Sequence, residues 1–435
     1  MGEGKEEVKR NMASLEPQET LKLRRERLER AFTGGTPDRV PYTFLPAMDL
    51  QAKYAGITVA EYCFNWDSWV KTAVKWGRDF NVEGVDLLPF FPPGLEGMIF
   101  AVAWADYPEW IATRFITGQF HDALRDKWTR WPGRELPPDF HPQFIGGTFM
   151  EPGEYRKLIE DPLEFITSTL LPRAVEALRK PYSPEAAAAL MKLGAETKNF
   201  NATMTRIGVE SFQMGFPTFY MGYGYAPLDL IGDFMRMPTG VMLDLRRHPE
   251  EVLQATEVLT PLIKKAIKNS TIPQELSEKL FGTRVVLVFW PLHLDEMLPP
   301  KLFEEFYWPS LKETIIYAIE LGYTPWVFFE GDFTPFLHYI LELPKGRVFA
   351  YFEKADLRKA REILGDHVNI GGGIPVSILM HGSREKVFEE SCNLLNDIKE
   401  PGGFVFYGSG VSPGAATRIE NLWAQVEAVK KCGYY

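Results

Sequence analysis

The stretch TPWVFFEGDF, Thr324 to Phe333, decides how the rest of the chain is read. Its bulky run from Trp326 to Phe329 suits a strand of parallel sheet buried on both faces, and Glu330, Gly331 and Asp332 then fall where the strand gives way to a loop. In a β/α barrel that end of a strand carries the chemistry. A carboxylate there is costly to bury unless it holds a metal or a proton, or is paired, which makes Glu330 the first candidate catalytic residue. The plainer reading is an ion pair or a helix cap made by Glu330 or Asp332.

Working outward from this strand, similar runs recur on both sides. Arg39–Leu45, Gly84–Phe91, Phe216–Met221 and Arg284–Trp290 precede it, and Arg347–Phe352, His367–Gly371 and Gly403–Tyr407 follow. Helical patterns lie between them, notably over 60–80, 154–161, 162–178, 183–198, 228–235, 249–268, 300–321, 335–341, 355–364, 384–399 and 417–431. Eight strands alternating with helices predict an α/β fold, a single (β/α)8 TIM barrel over residues 39–435. Residues 1–38 form an N-terminal extension, a frayed tail to residue 17 and then a helix over 18–32 with Leu21, Leu23, Leu28 and Phe32 turned inward. From 95 to 149 the alternation stops in a Trp- and Pro-rich segment, read as an insertion of short strands and loops at the barrel mouth after the second strand.

Composition narrows the class of protein. Of 435 residues 45% are hydrophobic and 14% aromatic, which favours an aromatic-lined interior over a disordered or fibrous chain. Lys and Arg number 48 against 58 Asp and Glu, a net charge of −10 with no basic cluster, which excludes nucleic acid as the expected partner. The three cysteines, Cys63, Cys392 and Cys432, lie far apart in helix-like surroundings. Neither a disulfide framework nor a Cys-rich metal site is readable, and a reducing cytoplasm fits. The polar amino terminus has no apolar signal segment, and no later run is long and apolar enough for a membrane span.

The carboxyl-terminal third resembles a known family. EKADLRKAREILGDHVNIGGGIP (353–375), HGSREKV (381–387) and YGSGVSPGAATRIENLWAQVEAVKKCG (407–433) are similar to the uroporphyrinogen decarboxylase superfamily, more weakly back to Arg39. The resemblance implies the same single (β/α)8 barrel. The decarboxylase itself grips substrate propionates with an Arg-Gln-Ala-Gly-Arg stretch after its first strand; here that place reads Pro46-Ala-Met-Asp-Leu-Gln51, and no arginine follows until Arg78. A guanidinium clamp for a polycarboxylate is missing.

The other large branch, the corrinoid-dependent methyltransferases, holds zinc with His-X-Cys-Gly and a later Cys. Those places read Phe328, Glu330 and Ser409 here, so all three ligands are replaced. Oxygen and imidazole ligands leave zinc harder than two thiolates do, which suits polarising an ether oxygen. The resemblance therefore implies an O-demethylating methyltransferase that takes the methyl group of a methoxylated aromatic compound to the Co(I) corrinoid (cobalamin) of a partner protein. A lyase related to the decarboxylase, a methylcobalamin:thiol methyltransferase and a non-catalytic partner-docking barrel are the alternatives.

Within that reading His293, at the end of RVVLVFWPLH, should project near Glu330, and the two are the expected metal ligands; a hydrogen-bonded structural role is the alternative for His293. Glu353, ending FAYFEK, is a further oxygen ligand or proton donor, or with Lys354 a solvated end. Asp332 is expected to orient a ligand or act beside Glu330. Tyr223 and Tyr225 of the loop GYGY, with Tyr407 and Ser409 of the eighth strand, are expected to border the substrate, while Phe289 and Phe328 read as core.

Overall fold

The structure, a computed structural model, describes residues 17–435; the tail expected over 1–17 lies outside the described residues except for Pro17. Six parallel strands form its centre: β1 (Tyr220–Tyr223), β2 (Val286–Pro291), β3 (Thr324–Phe329), β4 (Phe349–Phe352), β5 (Asn369–Ile374) and β6 (Phe404–Ser409). They are hydrogen-bonded in sequential order, with Phe289 beside Trp326 and Phe328 beside Tyr351. Helices such as Pro249–Asn269, Trp308–Glu320 and Arg384–Ile398 make the crossovers that parallel neighbours require.

Alternation along these strands explains their uninterrupted apolar runs. Val286, Val288, Trp290, Val327, Phe329, Ala350, Phe352, Phe404 and Phe406 join the main core. Their neighbours Leu287, Trp326, Phe349, Tyr351, Val405 and Tyr407 form a second cluster on the opposite face. Both faces are thus buried, the condition under which a strand reads as solid hydrophobic.

The N-terminal helix Pro17–Phe32 adds Leu28, Ala31 and Phe32 to that second cluster. Phe32 meets Phe349 edge to face at 5.0 Å, and Asn369 Nδ2 donates to its carbonyl at 2.8 Å. The helix therefore covers the N-terminal end of the inner face, leaving the C-terminal ends of the strands as the way in.

An α/β fold with a parallel sheet is present, and six of the eight expected strands form. The segments expected as strands one and two appear instead as extended chain with local pairing. Tyr42 bridges Phe406 in parallel, and Asp86 N–H donates to Tyr42 O at 2.8 Å. These contacts extend the sheet beyond β6 without a regular ladder, and no closed barrel is seen among the described residues. Arg39 replaces ladder bonds with ionic ones, its guanidinium gripping the buried Asp86 at 2.7 and 2.9 Å while Tyr42 N–H donates to the same carboxylate.

Other differences have local causes. The insertion holds two-residue antiparallel pairs, Leu95–Glu96 with Phe115–Ile116 and Thr129–Arg130 with Gln143–Phe144, and also the helices Met98–Ala103 and Gly118–Leu124. The helix expected over 183–198 runs on to Gln213, capped by Ser183, whose hydroxyl accepts from Ala186 N–H. Gly222 and Tyr223, expected in a loop, end β1. Cys392 and Cys432, distant in sequence, form a disulfide between neighbouring helices, while Cys63 is free and buried. A disulfide is what a reducing compartment opposes, so sparse cysteines no longer argue for the cytoplasm. No helix among the described residues is long and apolar enough to cross a membrane.

Candidate active site

The loop after β3 is held in a specific shape. Gly331 adopts φ +61°, the left-handed region where glycine is unstrained. Its N–H donates to Glu353 Oε2 at 2.6 Å, Glu353 N–H donates to Phe329 O, and Lys354 N–H to Gly331 O. Glu353 thus latches the end of β3 to the end of β4. Lys354 Nζ lies 3.5 Å from Glu353 and 3.6 Å from Glu296 and pairs with neither tightly.

Glu330 then turns toward the inner face, where its Oε1 is 3.7 Å from His293 Nε2. His293 is the expected neighbour, and its other nitrogen is occupied: Nδ1–H donates to Asp233 Oδ2 at 2.7 Å. Tyr225 O–H donates to the same oxygen at 2.6 Å. Asp229 binds the backbone around the imidazole, accepting from His293 N–H at 3.2 Å, Leu294 N–H at 3.0 Å and Tyr307 O–H at 2.7 Å.

Two π-helical turns make this arrangement. Asp229 lies on Pro227–Ile231 and Asp233 on the π-turn Gly232–Arg236 that continues it; Tyr307 ends a second π-turn, Phe303–Tyr307. Such bulges commonly mark functional sites because they re-aim side chains without ending the helix. Asp229 and Asp233 were missed in the sequence reading, although two acids four residues apart in the apolar run APLDLIGDF are a signal for them.

Glu96, also missed, arrives from the insertion. Tyr223 O–H lies 2.6 and 2.7 Å from its two oxygens. Nothing in the surrounding sequence marks this glutamate, because only the folding of the insertion over β1 places it here.

The charges interact strongly. Burial pushes Glu330 up to about 8, with His293 pulling against it and Glu353 and Glu96 adding to it. Burial likewise lifts Glu96 and Asp229 to about 7. Burial opposes a charged His293, yet Asp233, Glu330 and Asp229 together raise it well above its ordinary value. Asp295 is raised by burial and by Asp229 and Glu330, and neither of its oxygens has a hydrogen-bond partner among the described residues. Asp233 and Glu330 thus flank the imidazole, and Asp229 accepts from its backbone N–H.

Beneath this cluster the inner face is aromatic. Phe289 and Phe328 stack at 6.4 Å, Tyr223 packs on Phe289 at 5.6 Å and Tyr351 on Phe328 at 4.9 Å. Leu45, Leu87, Met221, Phe289 and Phe328 pack on the inner cluster yet are only half-buried, so the apolar surface below His293 is accessible. Expected as core, Phe289 and Phe328 are instead the half-open walls.

The remaining expected residues are placed differently. Asp332 is exposed and accepts from Thr334 N–H at 3.1 Å, a local turn contact away from His293. Tyr407 is buried in the inner cluster between Trp326 and Tyr351, and Ser409 O–H donates to Val411 O at 2.6 Å. Both lie under or beside the site rather than facing His293. A separate cleft of about 390 Å³ opens beside Glu353 and Gly373.

Residues 217–432 match the family model described as uroporphyrinogen decarboxylase (URO-D), a span that includes β1 to β6, His293 and Glu330. Those residues belong to the uroporphyrinogen decarboxylase superfamily. A solved structure described as a methyltransferase from Methanosarcina mazei has a similar fold, with TM-score 0.57 and 15% identity over 93% of this chain and 97% of that one. At that identity the likeness concerns the fold. No curated protein matches the chain.

Two metal donors are brought together, His293 Nε2 and Glu330 Oε1; among the described residues no group of three or more His, Cys, Asp or Glu side chains is placed to hold a metal ion. The pair supplies two of the three protein donors usual at a catalytic zinc ion, and the Asp233 bond to Nδ1 is the contact that orients a ligating imidazole.

Proposed function

We propose that this protein is a corrinoid-dependent methyltransferase that removes the methyl group of a methoxylated aromatic compound, an O-demethylation, and passes it to the Co(I) corrinoid of a partner protein. The observation that carries the reading is the pairing of His293 Nε2 with Glu330 Oε1 at adjacent strand ends, directly above an accessible aromatic surface. The fold likeness to a protein described as a methyltransferase, and the family match, support the class. The finer plan of a full eight-stranded barrel, with 39–45 and 84–91 in the first two positions, belongs to the same reading.

His293 and Glu330 would hold a zinc ion, which when bound supplies Lewis acidity toward the ether oxygen. The rest of the work belongs to this chain. Asp233 keeps the proton on Nδ1, so Nε2 is the nitrogen that would give up its proton and present a lone pair to a metal ion. Glu353 holds the Glu330–Gly331 turn through Gly331 N–H, and Asp229 holds the backbone of His293 and Leu294. Phe289 and Phe328 offer faces on which an aryl ring can lie. The methyl–oxygen bond breaks with its electron pair left on oxygen, the methyl group leaves to Co(I), and the phenolate takes a proton from solvent.

The alternatives fit less well. A decarboxylase-like lyase calls for cations around its substrate, whereas carboxyls flank His293. A thiol-activating enzyme calls for cysteine at the site; Cys392 and Cys432 are paired elsewhere and Cys63 is buried. In a docking barrel Glu330 would pair with Lys or Arg, whereas it faces His293.

The test is methylcobalamin formation from a panel of ring-substituted anisoles, a methylamine and a methyl thiol, with cob(I)alamin or a reduced corrinoid protein as acceptor. Rates that rise as the leaving phenol becomes more acidic support the reading. Preference for the amine or thiol, or demethylation without any corrinoid, overturns it.

A further inference from the structure

We propose that the aromatic donor carries a free phenolic hydroxyl and no carboxylate, and that Glu96 is the residue that selects it. This inference rests on the aryl methyl ether reading above and narrows its substrate class.

Glu96 is held from two sides. Its short strand pairs with Phe115–Ile116, and Gly97 N–H donates to Arg114 O at 2.8 Å. Tyr223, whose ring packs on Phe115 at 5.0 Å and on Phe289 at 5.6 Å, donates its single proton to the carboxyl. A carboxylate offers about four acceptor positions. Among the described residues no second side chain or backbone group donates to Glu96, and the residue is only half-buried. Its remaining acceptor capacity adjoins the aromatic wall that Tyr223 and Phe289 form, so a hydroxyl on a ring lying against that wall would find its acceptor there.

The same surroundings reject a ring carboxylate. Asp229, Asp233 and Glu330 have no Lys or Arg partner among the described residues; the charged group they share is His293. An anionic substituent would meet acceptors and like charge instead of donors, the arrangement by which a site discriminates through repulsion. A neutral phenol avoids that penalty and adds a hydrogen bond to a charged acceptor, stronger than one between neutral groups.

Isothermal titration calorimetry on the full chain at pH 9, where Glu96, Asp229 and Glu330 are ionised, tests this with 2-methoxyphenol, 1,2-dimethoxybenzene, 2-methoxybenzoate and phenyltrimethylammonium. The phenol should bind at least about 10-fold more tightly than the dimethoxy compound, and the benzoate weakest. Glu96→Ala should abolish the preference for the phenol while leaving the dimethoxybenzene Kd within about twofold. Glu96→Gln, which keeps the shape and one acceptor oxygen, should reduce the preference severalfold; an unchanged preference in Glu96→Gln overturns the proposal even if the alanine variant fails to fold. Equal binding of phenol and benzoate, tightest binding of the ammonium ion, or an equal loss for both ethers in Glu96→Ala overturns it as well. If no aryl ether binds at all, the aryl methyl ether reading fails with it; if aryl ethers bind without regard to the hydroxyl, only the role of Glu96 fails.

Discussion

His293 Nε2 and Glu330 Oε1 face one another across 3.7 Å from the ends of neighbouring parallel strands, while Asp233 holds the opposite ring nitrogen at 2.7 Å. The pair is polarised by construction. One nitrogen is fixed as a donor to Asp233, and the other faces Glu330; the acidic neighbours favour the protonated ring while burial pushes the Glu330 carboxyl toward neutrality. Such a pair answers either to a proton or to a metal ion, and the two answers have different pH signatures.

Metal content separates the ligand reading from a structural one. Removing either donor with His293→Ala or Glu330→Ala should weaken zinc binding at least about 100-fold, while circular dichroism and thermal unfolding show the fold retained. Elemental analysis of chelator-free protein gives the result, and full occupancy in both variants would reject the assignment.

Metal-free stability should fall as pH rises. Glu330 titrates near 8 in the folded protein against a usual value of 4.5, so between those values the folded state binds more protons than the unfolded one and stability declines with pH. His293, raised by its acidic neighbours, contributes stability that is fully present below about 6.5 and is lost as pH climbs through its folded value, the same direction. Glu330→Gln should flatten the slope and gain on the order of 2 kcal/mol over wild type at pH 9, read by urea unfolding at pH 5 and pH 9. Zinc affinity should run the opposite way and rise through the same window, because a ligating carboxyl must first lose its proton.

Asp233 acts through His293. Asp233→Ala should lower zinc affinity about 10- to 100-fold with both donors in place, and should release the imidazole from its fixed tautomer. NMR of the His293 ring reports that release, which a simple loss of packing would not produce. Tyr225→Phe, losing a bond to the same oxygen, should have a smaller effect.

Gly410 guards the latch from a distance. A Cβ on Gly410 would overlap the Glu353 backbone, which cannot move without disturbing the bond from Gly331 N–H. Gly410→Ala should therefore cost about 2 kcal/mol in chemical denaturation and weaken zinc binding, although position 410 touches neither His293 nor Glu330.

Strand order was readable from β2 onward because those strands are buried on both faces and show as unbroken apolar runs such as VLVFWP and TPWVFF. Arg39–Leu45 was less regular in outcome than in pattern: Asp86 takes the Tyr42 N–H and binds Arg39, so side chains replace ladder bonds there. Among the described residues Asp332 is neither a helix cap nor an ion-pair partner: a short acid beside a turn finds its nearest N–H locally, here that of Thr334.

Local pattern alone settled that Glu330 and His293 end parallel strands, because period and burial are properties of a few consecutive residues and strand neighbours follow from βαβ order. Which groups meet those two ends was decided by tertiary structure. Asp233 reaches His293 through a π-turn that shifts helical phase after the helix of Asp229, Glu96 crosses from the short paired strands of the insertion to meet Tyr223, and Cys392 finds Cys432 across packed helices. None of these partners is near its counterpart in sequence, and the free energy that brings them together is that of the whole packed core, which no short stretch of chain contains.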